Sequence, residues 1–202
     1  MPERANPTPR SRTPQVEAEP TTAPAATKAV AQTNTPAARY VIREASPADL
    51  PALIALLAND SLGRTRQAPY ASNAEPYDAA FAAIAADPHN TILVAVDASK
   101  PDNTEPTQEG STAPPCACLQ LTFIPGLSYS GGWRTQVEAV RVHEDHRGAG
   151  LGRLLIEEAV RRARLRGAVL VQLTSDLRRE RARRFYEGLG FQATHAGMKL
   201  WL

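Results

Sequence analysis

The stretch Val142–Gly167 reads VHEDHRGAGLGRLLIEEAVRRARLRG, and inside it Arg147–Gly152 reads RGAGLG. Three glycines within five positions stand where a strand pattern gives way to a helix pattern, and each would weaken either element by its backbone freedom alone. A strand that runs through glycines into a helix presents free backbone N–H groups, at the positive end of the helix dipole, to whatever lies in front of them. Such a place suits a phosphate group. A side chain at Gly148, Gly150 or Gly152 would hold that ligand off the amides or force a strained dihedral.

Two familiar phosphate loops do not fit. A Walker loop needs Gly-Lys followed by Ser or Thr, whereas Gly152 is followed by Arg153-Leu154. The dinucleotide fingerprint G-x-G-x-x-G fails because the spacing here is G-x-G-x-G.

Working outward, Leu151, Leu154, Leu155, Ala159 and Ala163 give the following segment one apolar side, and Gly167 stops it, which predicts a helix over residues 151–166. Upstream, Arg134–Val142 reads as a strand, and strict alternation would put Gln136, Glu138, Val140 and Val142 on one face. Downstream, LVQLT (170–174) is a strand. Ala182, Phe185, Tyr186 and Leu189 then repeat at helical spacing, and FQATH and MKLWL are expected to close the chain as a hairpin around Ala196-Gly197.

Toward the N-terminus, Tyr40–Glu44 reads as a strand, and Ser46-Pro47 caps a helix whose Leu50, Leu53, Ile54 and Leu57 share a face. The alanine-rich YDAAFAAIAAD is a second helix ended by Asp87-Pro88. TILVAV and CACLQLTFI are strands joined by a polar, Pro-rich stretch over residues 98–115 that is expected to be a mobile hairpin loop. The order β-α-α-β-β-β-α-β-α-β-β mixes antiparallel hairpins with one parallel crossover. The class is therefore α/β (α+β), with a mixed, mostly antiparallel central sheet of about seven strands flanked by helices.

Residues 1–38 hold seven of the 17 prolines and no aromatic residue, so they are expected to form a disordered Pro/Thr/Ala-rich tail ahead of a domain spanning 39–202. A net charge of +2 on 202 residues creates no field that demands nucleic acid or an anionic membrane. No apolar run reaches the roughly 20 residues a membrane helix needs, and no secretory apolar core opens the chain. A soluble, cytoplasmic protein is expected. Cys116 and Cys118 are poorly placed to bridge each other and supply no more than half of a zinc site, so both read as small apolar strand residues and no metal is expected. His143 and His146 form H-x-x-H without a third ligand, which reads as a solvated turn.

V-R-V-H-x-x-x-R-G-x-G-L-G, followed by an amphipathic helix and then by R-F-Y-E-G-L-G-F, resembles the GNAT superfamily of acetyl-CoA-dependent N-acyltransferases. The family signature Q/R-x-x-G-x-G/A is met by Arg147, Gly150 and Gly152, and the second motif runs from Phe185 to Phe191. The likeness is strongest from Gln136 to Leu202.

The resemblance implies that the pyrophosphate of acetyl-CoA lies on the amides of Arg147, Gly148, Ala149, Gly150, Leu151, Gly152 and Arg153. It further implies that the backbone of Val140, Arg141 and Val142 pairs with the pantetheine arm. Tyr186 would be the proton donor to the leaving thiolate. Glu138 would be the general base, with Gln136 in a neighbouring slot and a water chain as substitutes. Where many relatives carry a cofactor-contacting Asn, this chain has Arg179, which is expected to meet a phosphate or face water.

The implied reaction is acetyl transfer to a primary amine, small-molecule rather than protein, by direct attack in a ternary complex. The acceptor site is expected among the DSLGRTRQAPY loop, the helix carrying Tyr77 and Phe81, and the Pro125–Trp133 hairpin, and a homodimer is allowed. Two other classes compete. One is a non-catalytic acyl-CoA sensor that keeps the glycine loop. The other is a nucleic-acid-binding module built on the arginines between Arg161 and Arg184. Pairs such as Glu157 with Arg161 and Glu158 with Arg162 account for those arginines as a solvated helix face, and nucleic acid is an unlikely partner.

Overall fold

The computed structural model describes residues 39–59, 67–99 and 113–201. The N-terminal tail, most of the 98–115 loop and the start of the expected acceptor loop lie outside them. Strands β1 (Tyr40–Glu44), β2 (Asn90–Asp97), β3 (Pro115–Ile124), β4 (Trp133–Val142) and β5 (Ala168–Leu173) form one sheet in chain order. The first three pairings are antiparallel, and β4 pairs with β5 in parallel. Helices α1 (Leu50–Ala58) and α2 (Ala74–Ala86) precede β2, α3 (Leu151–Leu165) makes the crossover from β4 to β5, and α4 (Glu180–Glu187) follows β5.

The periodicity readings place these elements well. In α1 the buried residues are Leu50, Leu53, Ile54 and Leu56, with Leu56 replacing the expected Leu57. In α3 they are Leu151, Leu155, Ile156, Ala159 and Ala163. The sheet is packed on two sides. Leu53 and Leu56 of α1 close over Val94 and Cys118, whereas Leu151, Leu155 and Ile156 of α3 close over Leu93, Leu119, Leu121 and Val137. Cys116 joins the α3-side cluster and Cys118 the α1-side one, and neither is in a disulfide. A register shift in the β2–β3 pairing sets Val96 opposite Pro115 and Ala95 opposite Ala117, which breaks the alternation around Cys116.

The sheet has five strands, not seven. FQATH and MKLWL do not form a hairpin: residues 191–201 carry no strand, and Met198, Leu200 and Trp201 are 93%, 87% and 77% exposed. An apolar alternation gives a segment strand propensity, but a strand exists only where a neighbour completes its ladder, and no described residue pairs with this one. Phe191 alone turns back, its N–H donating to the Tyr186 carbonyl at 3.1 Å.

The entry to α1 is locked by charge. The backbone N–H and hydroxyl of Ser46 both donate to Asp49 Oδ2, at 2.7 and 3.0 Å, while the Arg43 guanidinium holds both carboxylate oxygens at 2.7 and 2.8 Å. Burial of Asp49 pushes its carboxyl pKa up, but Arg43 and Ser46 outweigh it and the net shift is downward. A depressed folded pKa contributes stability above the unfolded value and loses it as pH falls through the carboxylate range. Arg43→Met should therefore cost about 2 kcal/mol at pH 7, the order of a hydrogen bond to a charged group, and much less at pH 3. Denaturant unfolding at the two pH values checks this.

Candidate functional site

The parallel β4–β5 pairing runs from Trp133 opposite Ala168 to Val137 opposite Leu173 and then stops, although β4 continues to Val142. At the point of parting, Ala139 sits at φ 53°, and the β3–β4 register shifts so that Gln120 faces Glu138 while Cys118 faces Arg141. This is a bulge, with one extra residue on β4. Beyond it β4 runs on from Glu138 to Val142 past the end of the β5 pairing, still in register with β3.

The bulge also corrects the face assignment that alternation predicts. Val140 and Val142 pack into the α3-side cluster with Val137, and Arg141, opposite Cys118, takes the α1 side that Glu138 also occupies. Glu138 therefore does not share a face with Val140 and Val142. It lies exposed on the α1 side with Arg141 three positions on. Nothing in the local sequence marks this, because alanine is an ordinary strand residue and a positive φ at Ala139 is imposed by the pairing around it.

The glycine loop opens at the end of β4. Gly148 and Gly150 have φ of 83° and 78°, in the left-handed region, and Gly150 is the N-cap of α3, its carbonyl accepting the first helical bond from Leu154 at 3.1 Å. A Cβ at either glycine would meet no atom within 4 Å, so the space beside each is open. Gly152 is small for another reason: a Cβ there would come within 3.3 Å of the Phe185 ring. One glycine thus lets α4 approach α3, and two shape the loop. These residues fit a pyrophosphate, since two glycines in the left-handed region, with open space beside both, shape the loop that leads into the first-turn amides of a 15-residue helix.

The turn before the loop is anchored, not solvated. His146 is buried, with its Nδ1 3.0 Å from the Tyr40 hydroxyl and its ring edge-on to Tyr40 and to His143. Its place ties the loop to β1 across the sheet end. Among the described residues no group of three or more His, Cys, Asp or Glu side chains is arranged to hold a metal ion. A cavity of about 530 Å³ borders this turn, between α1, the start of β3 and His143–His146. None of its lining residues belongs to β4 or β5.

Tyr186 projects from α4 into the aromatic group it forms with Phe185 and Phe191, ring centroids 5.1 and 5.8 Å away, at the edge of the α3-side core. Burial raises its phenol pKa, and the nearby charges of Arg141 and Arg179 pull it back only in part. The hydroxyl therefore stays protonated at neutral pH, as a proton donor must. Arg179 is half-buried at the N-cap of α4, with its charge felt at Tyr186. The influence of Arg141 on Tyr186 could not be read from the sequence, since it depends on the bulge. Cys118 is no nucleophile: burial pushes its thiol up to about 12.

The arginines of α3 and α4 are largely committed. Glu158 accepts from Arg161 at 2.6 and 2.7 Å and from Arg162 at 2.9 Å, Arg153 lies 3.5 Å from Glu157, and Arg183 lies 3.5 Å from Glu187. Glu157 thus pairs with Arg153 instead of Arg161. This intrahelical pairing is what a solvated helix face shows.

A sheet opened by a bulge, a glycine-shaped helix start at the end of β4 and a partly buried, protonated phenol on α4 describe an acyltransferase. The chain belongs to the GNAT acetyltransferase family: the sequence profile described as "Acetyltransferase (GNAT) family" matches residues 60–191. Among solved structures it is similar to a transcriptional regulator from Bacillus halodurans C-125, with 40% identity, a TM-score of 0.70, and 81% of this chain and 99% of that one covered. It is also similar to a putative acetyltransferase from Agrobacterium tumefaciens str. C58, with 26% identity, a TM-score of 0.63 and coverage of 80% and 99%. An acetyltransferase from Trypanosoma brucei matches at 26% identity and a TM-score of 0.62, with coverage of 81% and 99%. No curated protein sequence matches. Among the described residues no helix is long and apolar enough to cross a membrane.

Proposed function

We propose that the protein transfers the acetyl group of acetyl-CoA to the primary amine of a small molecule, by direct attack while both substrates are bound. The observation that carries this reading is the coincidence of three features at one end of β4: a β4 backbone that runs on past the end of its β5 pairing at Val137, the glycine-shaped start of α3, and the protonated Tyr186. Arg147 through Arg153 would cradle the pyrophosphate. The backbone of Val140, Arg141 and Val142 would take the pantetheine arm as an added strand. Bound acetyl-CoA supplies an activated acyl carbon beside this strand.

The residues of the chain then divide the proton work. As the amine nitrogen bonds to the acyl carbon and the carbon–sulfur bond breaks, Glu138 or a water held by it removes the proton of the amine. The Tyr186 hydroxyl gives a proton to the sulfur. Glu138 is exposed and on the α1 side, the side from which an acceptor would approach. The paired arginines weigh against nucleic acid as the partner, and two cysteines outside any disulfide suit a cytoplasmic setting.

Thiol release from acetyl-CoA across a panel of amines tests the reading, and turnover with at least one small amine is the expected result. Binding without turnover for every amine would favour the sensor. In the same assay Glu138→Gln should lower the rate most at pH below the amine's own pKa, where a proton must be removed before attack. An unchanged pH–rate profile would take Glu138 out of that role.

A further inference from the structure

One row of residues crosses four strands on the α1 side of the sheet. Asn90 of β2 faces Thr122 of β3, Thr122 faces Gln136 of β4, and Gln136 faces Gln172 of β5. The Thr122 hydroxyl donates to Asn90 Oδ1 at 2.6 Å, and Gln172 Nε2 donates to Gln136 Oε1 at 2.9 Å. Gln120 reaches Asn90 Oδ1 at 3.4 Å from the next row, where its partner across the strands is Glu138. The same side of the sheet is apolar where α1 covers it, at Val94 and Cys118. It turns polar beside Glu138 and the end of the β4–β5 pairing.

All four residues are partly buried and none is charged. A sheet face that merely meets water gains little by ordering glutamine side chains, which lose rotamer freedom when held. Amides held in a row offer donors and acceptors together, the pairing a hydroxyl group presents. Arg134 lies on this face one step further from the bulge, and its positive charge disfavours a second ammonium there. We infer that this row is the acceptor-recognition floor, and that the acceptor is an amine carrying a hydroxyl group, its nitrogen at Glu138 and its hydroxyl on Gln136 and Gln172. The inference rests on the acetyltransfer reading of the site. A step of two residues along β4 is about 7 Å, which a chain of about four carbons between nitrogen and oxygen spans.

The test compares 4-amino-1-butanol, butylamine and 1,4-diaminobutane as acceptors for the wild-type protein and for Gln172→Met and Gln136→Met, which keep side-chain length and remove the amide. The wild type should prefer the amino alcohol to butylamine by about tenfold or more, because a site built on buried hydrogen-bonding groups rejects the analogue that leaves them unpaired. That ratio should fall by about tenfold in Gln172→Met. Equal use of the two amines, preference for the diamine, or an unchanged ratio in a folded variant would overturn the assignment while leaving acetyl transfer standing. Calorimetry on the protein saturated with CoA separates the two readings. Amino alcohol binding that is lost in Gln172→Met, with no turnover of any amine, would keep the floor and remove the transfer. Binding of neither compound, with no turnover, would remove both.

Discussion

Tyr186→Phe should lower turnover about 10²-fold, the usual size of a general-acid contribution, while acetyl-CoA affinity stays within a few-fold. The substitution keeps the ring, so its edge-on contacts with Phe185 and Phe191 persist. Stability should change by no more than about 1 to 2 kcal/mol. Only the hydroxyl is lost. A phenol whose pKa burial has raised, and which Arg141 and Arg179 pull back only in part, holds its proton through neutral pH and so has one to give to the sulfur as the carbon–sulfur bond breaks. Thiol-release kinetics and a thermal melt on the same preparation measure both quantities. Unchanged turnover in a folded Phe variant would return Tyr186 to the core and leave a water as the donor.

The second large effect is expected at Gly150, where valine should abolish measurable acetyl-CoA binding in calorimetry. No protein atom lies within 4 Å of the added Cβ, so the side chain would project into the open space beside the loop, where a phosphate would sit. The left-handed φ of 78° adds backbone strain for a β-branched residue, on the order of 1 to 3 kcal/mol. Gly150→Asn separates the two causes. Asparagine tolerates the left-handed region, so the variant should keep its fold and still bind acetyl-CoA at least tenfold more weakly. Unchanged affinity in that variant would move the pyrophosphate away from this loop.

Both predictions concern residues legible in the sequence, and the reason is that their signals are local. Glycines at a strand-to-helix junction, and an aromatic stripe at helical spacing, each need only a few neighbouring residues to declare themselves. The same holds for Ser46-Pro47 at the entry to α1, where the structure adds the bonds from Ser46 to Asp49.

What the local pattern misses is whatever depends on a neighbouring strand. Glu138 and Val140 read as one face because alternation assumes one residue per partner, and the extra residue at Ala139 breaks that assumption. MKLWL has the composition of a strand and no ladder to join.

The sequence by itself determined the order of elements from Tyr40 to Glu187, the glycine loop at the start of α3 and the place of Tyr186 on α4, since hydrophobic period and backbone freedom are properties of short segments. Tertiary structure alone decided where β4 leaves β5, which side Glu138 and Arg141 take, that His146 is held by Tyr40, and that Asn90, Thr122, Gln136 and Gln172 fall into one row. These facts rest on register between strands as many as 82 residues apart in the chain, as Asn90 and Gln172 are. Register is set by the packing of both faces at once, which no single segment encodes.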